Sequence, residues 1–498
     1  MADTARVVDD MIVVRPGPEE AIKSGRTRRF WQHTLRDNIA DALSRNGIEH
    51  ELNVSFGRVF ITAPRRDDAM AVLPRVFGIS SFSPVAAVAP AELDAITAVG
   101  REACAEAVRD KRYAVRCRRQ GGQPFQSPDV ERELGAALND LGTVHLDNPD
   151  VTVFVEAVGR RAVITCERRD GVGGMPAGIQ GRAVALLSGG FDSVVAAWRI
   201  MRRGAHVDFV FCNLGGRASE RLVLQIAAVL THAWAHGLRP RFHVVDFSDV
   251  TADMKDTVKS SRWQVVLKRL MYRAACRVAA DTGADAIVTG EAIGQVSSQT
   301  LANLSAIDPV ADRPVLRPLC GFDKDEIMAE ARRIGTAPLS ERIREHCALS
   351  TGRPVVRCRP ATLDKHEEAL DSALLDRAVS ERSVRDVMNV TADDLRQPFL
   401  FTEQIPAGSR VIDCQPAHMY RHWHAPGAEH WDADRLARRF RDLPRDRTYV
   451  LYCSFGTQTP VLAELMQQAG YEAYAFQGGL SRVQAYAEAQ MTDAPAAE

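Results

Sequence analysis

Short apolar runs typical of strands and longer segments typical of helices follow one another along this chain. The two kinds are mixed irregularly in the first third and alternate regularly in the middle. In the first third, short apolar runs that predict strands are mixed with longer segments whose apolar residues recur at helical spacing. Farther on, strand and helix alternate regularly, and strands are predicted at 184–187, 207–211, 241–247 and 286–289. Because strands that alternate with helices build a parallel sheet, the central part is predicted to be a doubly wound domain.

Two mixed layers of helices and strands are predicted before this central domain. The first layer, residues 1–78, is of ferredoxin type, with strands at 11–15 and 54–61 and helices at 26–43 and 71–77. The second layer, residues 79–168, contains helices at 93–108 and 128–138, a strand at 113–119, and a hairpin of 151–155 with 162–166.

Three further divisions complete the predicted organisation. The central domain occupies 169–358, and a charged segment with helical periodicity is predicted to be a linker helix at 359–403. A new α/β unit occupies 404–490. The predicted fold class is therefore a multidomain α/β protein with two α+β layers at its N-terminus.

Composition narrows the class of protein. The chain has 498 residues, which is too long for one core, and its formal net charge of −1 gives no global field for a nucleic acid. Its 10 cysteines include no C-x-x-C pair, so neither a zinc ribbon nor a secreted disulfide framework is expected. The N-terminus has no signal-peptide pattern and no run approaches a membrane span, so a cytoplasmic enzyme without a membrane partner is expected.

The segment 183–195, AVALLSGGFDSVV, predicts a strand, a glycine loop and a helix. Adjacent glycines let backbone N–H groups approach an anion, and the helix N-terminus adds partial positive charge, so the loop is expected to hold a phosphate. It lacks the Gly-Lys-Ser/Thr of a Walker loop and resembles the SGGxDS pyrophosphate loop of ATP pyrophosphatases. That resemblance implies ATP as cosubstrate, with Ser188, Gly189, Gly190, Asp192 and Ser193 at its phosphates. An ordinary strand-to-helix turn is the alternative.

Two further motifs belong to this domain. The block 289–300, TGEAIGQVSSQT, is rich in small and polar residues and resembles very closely the corresponding block of the tRNA 4-thiouridine synthases. The resemblance implies that Leu186 and Leu187 flank the adenosine of ATP. It implies further ATP contacts from Lys268, Gly290 and Gln299. For Lys268 the alternative is a lysine that extends into water. Asp192 is a candidate for Mg²⁺ binding or for helix capping, and Lys324 is a candidate for stabilising the departing pyrophosphate.

A cationic segment lies in the second layer. Between residues 111 and 119 there are five cations and no acid, namely Lys111, Arg112, Arg116, Arg118 and Arg119. Together with SPDVERELG and NPDVTVFVEA, the stretch RCRRQGG resembles a THUMP domain, the RNA-binding module of several tRNA-modifying enzymes. Clustered arginines supply salt-sensitive phosphate contacts, so tRNA is the expected partner. A solvated edge strand is the alternative.

The C-terminal unit resembles a rhodanese domain through HAPGA at 424–428 and the loop CSFGTQT at 453–459. In that fold the cysteine, here Cys453, sits among backbone N–H donors that favour a persulfide anion. This loop lacks the arginine frequent in rhodaneses, and Gln415 stands where many carry arginine, so the degree of thiol activation stays open. The resemblance also pairs Cys347 with Cys453 as a disulfide during turnover. Cys358, which lies close to Cys347 in sequence, is the second candidate for this pairing. Buried, inert cysteines are the alternative.

These motifs identify the chain as similar to the tRNA uridine 4-sulfurtransferases. The resemblance implies adenylation of the uracil C4 oxygen, then sulfur transfer from Cys453, which a cysteine desulfurase loads. Attack by the persulfide itself or by released sulfide stays open. Two alternatives are sulfur transfer to a thiamine-pathway carrier protein and a non-catalytic tRNA-binding protein. The histidines at 418–430 show no regular ligand spacing, so no metal site is predicted there.

Overall fold

The computed structural model describes residues 4–214, 216–341, 354–391, 400–454 and 458–492. These residues form two compact units, and the first runs to Gly181 and adds Ile200–His206 and Ala233–Leu238. Its strands are β1 Arg6–Val7, β2 Met11–Pro16, β3 Glu51–Ser55, β4 Arg58–Thr62, β5 Ile79–Pro84, β6 Ala87–Pro90, β7 Arg112–Gln120, β8 Thr143–Val144, β9 Val151–Val158, β10 Arg161–Thr165 and β11 Arg169–Asp170. Its helices are α1 Gly25–Arg45, α2 Arg66–Val72, α3 Leu93–Val108 and α4 Ser127–Leu138.

Two sheets organise this first unit. One has the order β11-β5-β2-β4-β3, and the other has the order β1-β6-β10-β9-β7-β8. In each sheet one apolar face is covered by the two helices that lie between its strands in sequence, as the helical spacing predicts. Glu156 of β9 is buried against Arg15 of β2 and Arg58 of β4, so an ion-paired cluster joins the two sheets.

Three features of the first unit differ from the prediction. The helix predicted at 71–77 is shifted towards the N-terminus, because α2 covers Arg66–Val72 and a 3₁₀ turn follows at Leu73–Arg75. The single strand predicted at 54–61 is a hairpin of β3 and β4, because Phe56 and Gly57 both have positive φ, 51° and 71°, and close a two-residue turn. The predicted boundary after residue 78 falls immediately before β5, yet β5 pairs with β2 in the first sheet. The apolar run 79–84 therefore completes the first layer.

The second unit contains the other two sheets. Its strands are β12 Arg182–Leu186, β13 His206–Asn213, β14 Arg241–Asp246, β15 Ala286–Val288, β16 Val315–Leu316, β17 Ser383–Asp386, β18 Phe401–Thr402, β19 Arg410–Asp413, β20 Glu429–His430, β21 Thr448–Tyr452 and β22 Glu472–Phe476. Its helices are α5 Phe191–Arg202, α6 Gly216–Trp234, α7 Ser248–Thr257, α8 Trp263–Thr282, α9 Leu301–Ile307, α10 Lys324–Ile334, α11 Ala337–Ser340, α12 Pro360–Glu368, α13 Ser372–Ser380, α14 Ala417–His422, α15 Ala433–Arg439, α16 Thr459–Gln468 and α17 Gly479–Thr492.

The central sheet has the order β16-β15-β12-β13-β14-β17. From β12 the chain adds strands on one side through β13 and β14, and it then crosses to β15 and β16 on the other side. The reversal of strand order between β12 and β15 is a topological switch point, where doubly wound folds bind ligands at the carboxyl ends of their strands. The glycine loop follows β12, and the block 289–300 follows β15, so both predicted motifs flank this point.

The segment predicted to be a linker helix, 359–403, belongs partly to the central domain. It contains α12 and α13, whose Leu363, Leu375 and Val379 are buried in the central core, and β17, which pairs antiparallel with β14. The helical periodicity of this segment therefore reflects helices that pack against the central core, and not a linker between two domains.

The last sheet has the order β18-β22-β21-β19-β20, and each of its pairings is parallel. The four sheets confirm the predicted multidomain α/β class with a doubly wound central domain. Among the described residues, no helix is both long and apolar enough to cross a membrane.

Candidate functional site

The loop between β12 and α5 is closed by its own serine hydroxyls. Ser193 Oγ accepts a hydrogen bond from the backbone N–H of Ser188 at 3.2 Å and donates to the carbonyl of Gly190 at 3.1 Å. The backbone N–H of Gly190 donates to Ser188 Oγ at 3.4 Å. Gly189 has φ +82°, a conformation that L residues with a side chain rarely adopt. These bonds fix a compact turn at the N-terminus of α5, where an anion is stabilised by the helix dipole.

Gly290, directly after β15, brings the second motif against this loop. A Cβ built on Gly290 would lie 2.4 Å from the backbone nitrogen of Ser193 and 2.5 Å from the carbonyl carbon of Asp192. Only a residue without a side chain permits this approach. The two segments that resemble ATP-pyrophosphatase motifs are therefore in direct backbone contact at the switch point.

A lysine from a third element reaches the same loop. Lys324 is the first residue of α10, and its Nζ lies 2.9 Å from Asp192 Oδ1. A capping box between Asp323 and Glu326 fixes the start of this helix and therefore the position of Lys324. The structure thus places the ammonium group of Lys324 beside the carboxylate of Asp192 at the predicted phosphate site.

Glu291, the residue after Gly290, is a buried carboxylate that the sequence analysis did not select as a site residue. Glu291 accepts hydrogen bonds from Lys268 Nζ at 2.7 Å, from Arg317 Nε at 2.8 Å, from Thr289 Oγ1 at 3.1 Å and from the Tyr272 hydroxyl. Its side chain is only 3% exposed. These partners come from α8, the end of β15 and the segment after β16, so no sequence pattern could have paired them.

The partners of Glu291 decide its charge. Burial alone would raise the pKa of Glu291, but the charge of Lys268 and the hydrogen bonds from Lys268, Tyr272 and Arg317 lower this pKa to about 2. The carboxylate of Glu291 is therefore ionised at neutral pH. It holds the ammonium group of Lys268 at the residue that follows Gly290 in the chain.

This arrangement predicts acid sensitivity of the central domain. Because the pKa of Glu291 is lower in the folded state than in the unfolded state, its stabilising contribution is complete above about pH 4.5 and is lost as pH falls towards 2. We expect this one group to account for about 3 kcal/mol of the loss. Urea unfolding between pH 5 and pH 2.5 measures it.

The Glu291→Gln variant should be less stable at neutral pH, since it removes the counter-charge of the half-buried Lys268 and one of the two carboxylates that pair with Arg317. Its unfolding free energy should also fall less steeply with acid than that of the wild type. Asp325→Asn, which changes an exposed carboxylate nearby, is the matched control and should keep the wild-type slope. Equal slopes for wild type and Glu291→Gln would contradict the assignment.

The remaining residues predicted at ATP lie around the same edge. Leu187 is buried and its N–H donates to Val210 O at 2.8 Å, whereas Leu186 is half-buried. Gln299 is 8% exposed, and its amide oxygen has no hydrogen-bond partner among the described residues. A buried amide oxygen without a partner is costly, which favours an exogenous donor such as the amino group of a nucleobase.

Cys453 directly follows β21 at the point where the strand order of the last sheet reverses. Cys453 is 4% exposed, and residues 455–457 of the same loop lie outside the described residues. Cys414 follows β19, and its backbone N–H donates to Tyr452 O at 2.8 Å, which continues the parallel register and sets Cys414 beside Cys453. Sequence reasoning missed this neighbour, because register is a tertiary property.

Gln415 has a structural role at the position where rhodaneses carry arginine. Its amide nitrogen donates to Asp413 Oδ2 at 2.9 Å, and its amide oxygen accepts from Ser454 Oγ at 3.2 Å. A neutral bridge therefore connects the end of β19 to the residue after Cys453, without adding a positive charge near the thiol.

The other predicted cysteines have different outcomes. Cys347 lies outside the described residues. Cys358 is buried in the central core, where its backbone N–H donates to Asn303 Oδ1 at 2.8 Å, and burial raises the pKa of its thiol. Cys358 therefore has the environment of a structural cysteine.

Two histidines of the segment 418–430 stack on an aromatic ring. The rings of His424 and His430 stack on Tyr420 at centroid distances of 4.1 and 4.6 Å. Over the described ranges of the chain, no group of three or more His, Cys, Asp or Glu residues has a geometry that could hold a metal ion.

The five predicted RNA-binding cations lie on or beside β7, which is flanked by β9 and by the two-residue strand β8. Arg112 forms a bidentate pair with Asp150, Arg116 donates to Leu146 O at 2.6 Å, and Arg119 donates to Gln126 Oε1 at 2.7 Å. Lys111 and Arg118 are exposed, and their side chains form no hydrogen bond or ion pair with other described residues. The charges of these two residues are the most available to a phosphate backbone.

Four family models match the chain in order. They are described as a ThiI ferredoxin-like domain at residues 11–83, a THUMP domain at 90–167, a thiamine biosynthesis protein (ThiI) at 178–372, and a rhodanese-like domain at 391–486. The matches follow the same order as the four sheets of the structure.

Curated relatives are similar over almost the whole chain. A tRNA sulfurtransferase of Desulfurococcus amylolyticus is 38% identical and covers 94% of this chain and 97% of its own length. One from Pyrobaculum aerophilum is 35% identical, with coverage of 93% and 96%. The solved structure of a 4-thiouridine synthetase–RNA complex with bound ATP is 29% identical with a TM-score of 0.67, and it covers 75% of this chain and 98% of that one.

Proposed function

We infer the reaction from the premise that this chain belongs to the tRNA sulfurtransferase family: it is an ATP-dependent enzyme that converts a uridine of tRNA to 4-thiouridine. The observation that carries the inference is the backbone contact of Gly290 with the Ser188–Ser193 loop. This contact brings the two segments that we propose bind ATP together at the switch point of a doubly wound sheet, where such folds bind their ligands.

Adenylation is the first step that these residues support. The uracil C4 oxygen attacks the α-phosphorus of ATP, and pyrophosphate leaves, so that a poor leaving group at C4 becomes AMP. We propose that the loop 188–193 binds the phosphates, that Lys324 stabilises the charge on departing pyrophosphate, and that Gln299 contacts the base. Lys268, held by Glu291, supplies a second oriented cation.

Mg²⁺ is proposed as the companion ion of ATP. Asp192 is the carboxylate at the phosphate loop, and carboxylate and phosphate oxygens are the ligands that this ion prefers. Asp192 would hold the ion, which would neutralise phosphate charge during adenylation. In the described structure one Asp192 oxygen already pairs with Lys324, so the same carboxylate orients that lysine as well.

Sulfur transfer is the second step. A cysteine desulfurase loads Cys453 with a terminal sulfur, and this persulfide attacks C4 while AMP leaves. The bond between the transferred sulfur and Cys453 then breaks when the Cys347 thiolate attacks Cys453 Sγ, which releases 4-thiouridine and leaves a Cys347–Cys453 disulfide. A thiol reductant reopens it. Release of sulfide from the persulfide, followed by attack of sulfide on C4, uses the same two cysteines.

Other proposed partners follow from the same persulfide. A sulfur-carrier protein of thiamine synthesis accepts sulfur of the same oxidation state, so it is a second acceptor for Cys453. The location proposed for the enzyme is the cytoplasm, where tRNA and thiol reductants are present together.

The available cations on β7 predict how tRNA binding depends on salt. We expect Arg118→Ala to weaken tRNA binding about equally for different tRNAs and to reduce the slope of log affinity against log salt by about 1. Arg112→Ala is the matched comparison and should change the slope less, because Arg112 is already paired with Asp150. Filter binding at several salt concentrations measures both, and equal effects of the two variants would contradict this ranking.

The proposed function is tested by supplying the full chain with unmodified tRNA, ATP, Mg²⁺, a cysteine desulfurase and cysteine. We expect pyrophosphate to appear together with 4-thiouridine, measured by mass analysis of nucleosides from digested tRNA. A chain that binds tRNA without releasing pyrophosphate would instead be a non-catalytic RNA-binding protein. Asp192→Ala separates the two acceptors, because it should stop thiolation of tRNA and spare sulfur transfer to a carrier protein.

A further inference from the structure

Two cysteines of the first unit touch each other, and the reaction described above uses neither. Cys104 lies in α3, and Cys166 directly follows β10. Their Sγ atoms are paired at 2.8 Å, which is closer than an ordinary contact between two sulfur atoms that are not bonded. Because the sulfur atoms of a disulfide are about 2.05 Å apart, less than ~1 Å of movement separates this pair from a covalent bond.

The packing of α3 explains why the two sulfur atoms meet. One turn before Cys104, a Cβ built on Gly100 would lie 2.9 Å from Leu134 Cδ1 and 3.2 Å from Ile164 Cδ1, so the helix lies close to β10. Cys104 is four residues after Gly100, and Cys166 is two residues after Ile164. Four residues of helix and two residues of strand both extend about 6 Å. The packing that brings Gly100 against Ile164 therefore also brings Cys104 against Cys166.

The two thiols differ in access, as a stepwise oxidation requires. Cys104 is completely buried, whereas Cys166 is half-buried. The hydrogen bond with Cys166, together with burial, raises the pKa of Cys104, so Cys104 is protonated at neutral pH. Solvent-borne reagents reach Cys166 first.

We propose that Cys104 and Cys166 are a modification site at which a low-molecular-weight disulfide, such as glutathione disulfide, forms a reversible cross-link. The Cys166 thiolate attacks the small disulfide and releases one thiol, which leaves a mixed disulfide on Cys166. Cys104 then loses its proton and attacks Cys166 Sγ, and the second small thiol leaves. Two protein thiols are oxidised, and one small disulfide is reduced to two thiols.

The cross-link closes a ring around the proposed RNA-binding segment. The two cysteines are 62 positions apart, and the ring contains β7 with its five cations. Closing such a ring restricts the unfolded chain and stabilises the folded layer. We expect oxidation to slow the opening of α3 and β10, which peptide-resolved hydrogen exchange detects as slower exchange of their amides.

The test uses the full chain, treated with glutathione disulfide, alkylated, and digested without reductant. Mass spectrometry should find a peptide that links Cys104 to Cys166 and that disappears after treatment with dithiothreitol. Cys104→Ala should instead accumulate glutathione on Cys166, and Cys117→Ala, a half-buried thiol of the same sheet, is the control that should keep the linked peptide. No readout depends on tRNA thiolation.

Two results would overturn the proposal. One is wild-type protein that carries glutathione on Cys166 without the linked peptide, and the other is protein in which both thiols are recovered alkylated. If Cys104→Ala fails to fold, the wild-type comparison with and without reductant still decides, both for the linked peptide and for hydrogen exchange in α3.

Discussion

The Cys453→Ala variant is expected to release pyrophosphate from ATP in a burst that matches the amount of tRNA and to form no 4-thiouridine. The two steps should separate because the loop proposed for adenylation follows β12, whereas Cys453, the proposed sulfur carrier, follows β21 in another sheet. A methyl group cannot carry a persulfide, so the loss of thiolation should be complete rather than partial. Pyrophosphate release and nucleoside mass analysis in one reaction mixture measure both steps.

Cys414→Ala is the matched control for this variant. It removes the thiol that lies beside Cys453 in register, yet burial raises the pKa of Cys414 well above its ordinary value, so this thiol stays protonated. We expect Cys414→Ala to keep thiolation within a few-fold of wild type. Full activity of Cys453→Ala, or equal loss in both variants, would remove Cys453 from the proposed role.

The Gly290→Ala variant is expected to lose pyrophosphate release by about 10²-fold or more. Its added Cβ would lie 2.4 Å from the backbone nitrogen of Ser193, and neither backbone segment can yield as a flexible side chain would. The phosphate loop, the end of β15, or both must shift. Single-turnover release of pyrophosphate, measured at saturating tRNA, reports on this step alone.

Gly321→Ala provides the control, because a Cβ built on Gly321 meets no atom within 4 Å. Both glycines lie in loops that follow strands of the central sheet, and neither has a positive φ. We expect Gly321→Ala to behave as wild type in stability and in pyrophosphate release. Comparable activity of the two variants would show that the close approach of Gly290 is not needed for adenylation.

Local sequence information was sufficient to predict a structural feature wherever that feature consists of one helix or strand and its flanking loop. The helix predicted at 93–108 matches α3, because its apolar spacing and its polar ends both lie within the segment. The strand, glycine loop and helix around Ser188–Ser193 were also predictable, since adjacent glycines between apolar runs have few other interpretations. The position of Cys453 directly after a strand was predictable from the order of short motifs around it.

Local information failed where two conformations share one pattern. The apolar residues of 54–61 fit one strand or two, and the positive φ of Phe56 and Gly57 decided for a hairpin. The apolar face of 370–379 fits a linker helix or a packed one, and contact with the central core decided for packing. In both cases the missing information was the partner surface.

The sequence by itself determined the order of the four domains, the glycine loop after β12, the cationic strand β7 and the place of Cys453 at the end of a strand, because each is defined by contiguous residues. Only the tertiary structure decided that Gly290 touches the loop, that Glu291 gathers Lys268 and Arg317, and that Cys104 meets Cys166. Such pairings join elements that are far apart in the chain. Sheet order and helix packing bring them together, and residue periodicity within a segment carries no record of either.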